Sequence, residues 1–141
     1  MKVIPQNPVN QFNQFEQQKI NEIVQKLRQI ERKVIAHEMA HKSVAGRYAG
    51  TVNYTYTKGP DGKMYITGGE VSLDLSEEST PEETIKKMEI IQAAALAPSD
   101  PSPQDIRVAQ TAAIKKMKAQ IELYLNKEDK TSPGSIIEII V

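Results

Sequence analysis

The segment His37-Glu38-Met39-Ala40-His41 carries the residues best suited to chemistry in this chain, and it holds both of its histidines. On a helix, side chains four apart lie one above the other, so two imidazoles at this spacing can converge on a single cation. A carboxylate directly after the first histidine can then reach a metal-bound water as general base, without being a ligand itself. Zinc brings the pKa of such a water to about 7, which makes hydroxide available at neutral pH. The chemistry expected of the pattern is therefore zinc-assisted hydrolysis, with His37 and His41 as ligands and Glu38 as the base. The plainer alternative is a helix whose two histidines and glutamate are ordinary core or rim groups. Burying that trio without a cation is costly, which favours the metal.

A catalytic zinc takes three protein ligands and keeps a further position open. The chain has no cysteine and no third histidine, so the third ligand must be a carboxylate. Candidates are Glu70, Asp74, Glu77, Glu78 and Asp105. Glu70 is the first choice: it follows Gly68-Gly69, where backbone can approach a helix closely, and its neighbours Val71 and Leu73 tie it to a core. Asp74, between two leucines, is the runner-up. Tyr48, Tyr54, Tyr56, Tyr65, Arg47 and Arg107 are the available donors for a developing oxyanion, and nothing in their spacing selects one.

The elements that must position these groups are legible from pattern. Residues 1–10 read as an irregular lead-in. From Gln11 to about Ala45 there is neither Pro nor Gly, and Ile20, Ile23, Leu27, Ile30 and Val34 recur at steps of three and four. Continued, that rhythm reaches His37, His41 and Val44, placing the histidines on the inward face. Thr51–Thr57 alternates β-branched and aromatic residues, Gly59-Pro60-Asp61-Gly62 is a turn, and Met64–Thr67 returns as a partner strand. Gly68-Gly69 is expected to end it, with Glu70–Leu75 as a third strand or extended segment. Thr80-Pro81-Glu82-Glu83 is a capping box with Pro at the first helical position, opening a helix to about Ala97. After an elbow at Pro98, Pro101 and Pro103, Ser102-Pro103-Gln104-Asp105 opens a last helix to about Asn126, with Asp105 as a cap. Lys127 to Gly134 reads as a polar linker, and Ile136–Val141 as a terminal strand.

Eighteen basic and eighteen acidic residues cancel, and no basic stripe is visible, which argues against a nucleic-acid partner. No apolar run approaches the roughly 20 residues needed to span a bilayer, and the first residues show no secretory signal, so no membrane partner and a cytoplasmic location are expected.

The runs AHEMAH, GRYAG, YTYTKGPDGKMYITGGEVSLD and AAALAPSDPSPQDIRVAQTAA, spread over about residues 33–113, resemble the SprA-related family, a family of metalloprotease-like proteins. That resemblance implies a bacterial metallopeptidase-like domain with His37 and His41 as ligands and Glu38 as base. It also implies a functional role for the block containing Glu70. In the broad zincin superfamily a sheet precedes the metal-binding helix, whereas here the strands follow it.

The expectation is an α+β domain: a long N-terminal helix bearing the metal face, a small antiparallel hairpin, and two further packed helices. A catalytic domain would occupy 11–126, with 127–141 as linker and tail. It would be a zinc metalloendopeptidase acting on a peptide or protein, with Zn2+ held by His37, His41 and Glu70. The rival is a non-catalytic helical interaction domain in which the stripe from Ile20 to Val34 pairs two helices, giving a homo-oligomer through the N-terminal helix.

Overall fold

The computed structural model describes residues 8–140, with side chains described through Glu128. In chain order the elements are α1 (Pro8–Ala45), a short 3-10 turn (Gly46–Tyr48), β1 (Ala49–Lys58), β2 (Met64–Leu73), α2 (Pro81–Ala95) and α3 (Pro103–Ile140). The fold is α+β, with β1 and β2 forming a two-stranded antiparallel sheet. Helix α1 is described from Pro8 onward. It stops where Gly46 takes a φ of +56°, a conformation glycine adopts without penalty.

The inward face of α1 is Ile20, Val24, Leu27, Glu31, Val34, Glu38, His41 and Ala45, all buried or half-buried and spaced alternately by four and three. This corrects the expected stripe. Ile23, Ile30 and Val44 are 46%, 41% and 43% exposed, and Val24, Glu31 and Ala45 take their places. The period was right and the phase was off by one residue at alternate steps.

Two compact units emerge from the packing, one comprising the chain up to Glu38 with Val52–Glu70, the other Met39–Thr51 with Val71 onward. In the first unit the hairpin runs beside α1. A side chain at Gly59 would meet the ring of Tyr65 at 2.8 Å and Leu27 at 3.2 Å, and one at Gly69 would meet Val34, Glu38 and Tyr54 at 3.1–3.2 Å. Between these points Glu31 accepts the backbone N–H of Ile66 at 2.8 Å, so a polar residue occupies a seam position because it satisfies a strand. The turn holds as expected: Gly62 sits at φ +81°, its N–H reaches Gly59 O at 3.0 Å, and Tyr65 donates its hydroxyl to Asp61. Gly68-Gly69 does not end the strand; β2 continues through both glycines to Leu73, and no third strand forms among the described residues.

In the second unit α2 packs on α3 around Met88, Ile91 and Ala112, with Tyr48, Leu73, Leu75 and Val108 against them. Ala94, Ala95 and Ala109 are also buried, and such small side chains let the two helices approach closely. Thr80 accepts the Glu83 N–H at 3.2 Å and Pro81 begins α2, as the sequence predicts. The segment before α2 is fastened by Lys87, 1% exposed, whose ammonium donates to Asp74 and Ser76 at 2.9 Å and pairs with Glu78 at 3.1 Å. Lys115 adds a bond to Leu75 O at 2.6 Å. Residues 127–140, expected as linker and strand, continue α3. Among the described residues no helix is long and apolar enough to cross a membrane.

Candidate metal centre

His41 is 3% exposed, and both of its ring nitrogens have partners in the second unit. Nδ1 lies 2.8 Å from the carbonyl oxygen of Ala94, near the end of α2. A carbonyl can only accept, so Nδ1 carries the proton. That carbonyl is free to receive it for a local reason. The residue four further on, whose N–H a continuing helix would supply, is Pro98, which has none. The Ala97 N–H takes one lone pair at 3.2 Å and His41 takes the other.

On the opposite side of the ring, Asp105 Oδ1 lies 3.2 Å from Nε2. Asp105 is held by the cap that opens α3. Its Oδ2 accepts the Ser102 N–H at 2.9 Å, while Ser102 Oγ accepts the Asp105 N–H at 3.1 Å. The two carboxylate oxygens are thus divided, one to the cap and one to His41. A helix N-terminus also favours the ionised carboxylate. The proline elbow between α2 and α3 is what brings a helix-end carbonyl and a helix-start carboxylate to opposite sides of one imidazole.

His37 lies one turn before His41 on the same continuous helix and is half-buried, so helix geometry alone stacks the two rings. One ligand atom from each of His37, His41 and Asp105 lies within 4.8 Å of those of the other two. Two imidazoles and a carboxylate form a donor set that zinc accepts, and a ligand histidine whose other nitrogen binds a backbone carbonyl is the usual supporting arrangement. The residues present therefore fit a divalent ion.

Glu38 is on the seam and 4% exposed. In its own unit a side chain at Gly69 would come within 3.1 Å of Glu38 Cγ. An open cavity of about 300 Å3 in the same unit is lined by Lys33, Val34, His37, Glu38, Gly68 and Gly69. The glycine pair thus clears space beside the glutamate.

Glu70, the expected third ligand, is exposed and lies outside the cluster. Strand alternation gives the reason: Gly69 faces α1, so its neighbour Glu70 faces the other way. Asp74, the runner-up, is occupied with Ser76 and Lys87. These partners hold its carboxyl well below the usual carboxylate range, first the Ser76 hydroxyl and then the Lys87 ammonium. Among the oxyanion candidates, Tyr48 accepts from Arg47 at 2.8 Å, and Tyr54 lies against Gly69. Sequence reasoning found Asp105 as a cap and as one of five candidate ligands; its place beside His41 depends on the elbow and has no local signature.

Residues 2–132 match the SprA-related family. No curated protein and no solved structure matches the chain.

Proposed function

Since this chain belongs to the SprA-related family, we propose that it is a zinc-dependent peptidase whose metal is held by His37, His41 and Asp105, with Asp105 in the place first given to Glu70. The observation that supports this reading best is the two-sided engagement of His41, with Nδ1–H on Ala94 O and Nε2 directed at Asp105 Oδ1. A divalent ion held there supplies a Lewis acid and brings the ionisation of water near neutral pH.

The chain's own residues do the rest. Ala94 fixes the tautomer and plane of His41, and the Ser102 N–H fixes the rotation of the Asp105 carboxylate. Glu38 is the carboxylate that takes a proton and returns it to the nitrogen of the departing amine. Val34 and the Gly68-Gly69 backbone wall the cavity beside it and provide room for an extended peptide.

The test is cleavage of a quenched-fluorescence peptide library and of denatured proteins by zinc-loaded protein. Zinc-dependent cleavage is expected, and Glu38→Gln should slow it by about 100-fold or more while leaving zinc stoichiometry unchanged. Equal cleavage by wild type and Glu38→Gln would remove the catalytic reading.

A further inference from the structure

We propose that the N-terminal part of α1, from Phe12 to Ile23, pairs antiparallel with the same segment of a second copy of this chain, about a twofold axis level with Gln17 and Gln18. The inference does not rest on the metal reading. Every residue from Pro8 to Lys19 is exposed, including Phe12 at 61% and Phe15 at 58%, and Ile23 further along is 46% exposed. A helix segment of this length that buries none of its apolar side chains is marginal in water, and an aromatic face on it favours a partner.

The pattern specifies which partner. Phe12, Glu16, Lys19 and Ile23 follow one another at steps of four, three and four along one stripe, with Phe15 and Ile20 flanking its centre on either side. Phe12, Phe15, Glu16, Lys19, Ile20 and Ile23 together line one shallow groove. Turned about the proposed axis, the stripe complements itself: Phe12 meets Ile23 of the second copy, and Glu16 meets Lys19. Each contact occurs twice, as an isologous interface requires. A parallel, in-register pair would instead set Glu16 against Glu16 and Lys19 against Lys19, which like-charge repulsion disfavours. The Lys19 ammonium already lies 5.4 Å from the Phe15 ring centroid, so its stem follows the groove toward the position Glu16 of the second copy would take.

Sedimentation equilibrium of the full chain tests the proposal. The 15.7 kDa chain should sediment as a dimer at micromolar concentration. Glu16→Lys and Lys19→Glu should each raise the dissociation constant by about tenfold or more. The combined variant, which reverses both charges, should restore wild-type association. Glutamate and lysine have similar helix propensities and both sites are exposed, so the variants keep the fold.

The chain has no cysteine, which makes crosslinking clean. A mixture of Phe12→Cys and Ile23→Cys chains should form the mixed disulfide, and neither variant alone should crosslink. A wild-type monomer at 100-fold higher concentration, failure of the double reversal to restore association, or crosslinking of Phe12→Cys to itself would each overturn the proposal.

Discussion

His41 Nε2 lies 3.2 Å from Asp105 Oδ1, on the side of the ring opposite its bond to the Ala94 carbonyl. An imidazole anchored at Nδ1 by a backbone carbonyl and faced at Nε2 by a carboxylate has one orientation. The other histidine of the chain stands one helical turn away. Because Asp105 also closes the cap of α3, the same side chain ties the start of that helix to the site.

Asp105 can be dissected by separating its two oxygens. Asp105→Asn keeps an oxygen for the Ser102 N–H but loses the anionic donor. It should melt close to wild type while its zinc affinity falls more than about tenfold. Asp105→Ala should lose affinity and also destabilise by about 1 kcal/mol, the usual worth of a cap. Glu70→Gln should change neither. Calorimetric zinc titration beside thermal melts measures all three, and a loss of zinc binding in Glu70→Gln alone would reinstate Glu70 as ligand.

Pro98 matters through the N–H it lacks. In Pro98→Ala a new amide competes for the Ala94 carbonyl, loosening His41. Zinc affinity should drop by about tenfold, as for other supporting partners of a ligand histidine. Nitrogen chemical shifts of the His41 ring should move away from a pure Nδ1–H tautomer. An unchanged ring spectrum would show that the carbonyl does not hold the tautomer.

Glu31→Ala should leave the Ile66 N–H without its carboxylate. Loss of a partner to a part-buried donor costs about 1–3 kcal/mol, to be read from urea denaturation. Zinc stoichiometry should be unaffected, because Glu31 lies outside the cluster of ligand atoms.

The Asp74 carboxyl is held below its ordinary value by Ser76 and Lys87. A depressed folded-state pKa means the contribution is fully present above the unfolded value of 3.8 and is lost as pH falls through the lower, folded one. Acid titration of the melting temperature should show a decline below that value, and Asp74→Asn should flatten it. An identical acid limb in Asp74→Asn would assign the decline to other carboxylates.

Much of this was readable before the structure, and the rest was not, for identifiable reasons. Thr80-Pro81-Glu82-Glu83 and Gly59-Pro60-Asp61-Gly62 act through their nearest neighbours, so a helix start and a turn followed from local chemistry. The phase of the α1 seam did not, because Glu31 is inward only by virtue of a strand amide supplied from Ile66. Gly68-Gly69 suggested close approach, and Gly69 does face α1; the alternation of β2 then turns Glu70 away. Asp105 was legible as a cap. Its meeting with His41 depends on the fold of the proline elbow, which spacing along the chain does not encode.

The central claim is tested most directly by zinc stoichiometry of chelator-stripped, reloaded protein, compared with His41→Ala and Asp105→Ala. The account predicts one tightly held zinc per chain in wild type and none retained by either variant. A wild-type protein that holds no zinc, or variants that hold it as well as wild type does, would contradict it.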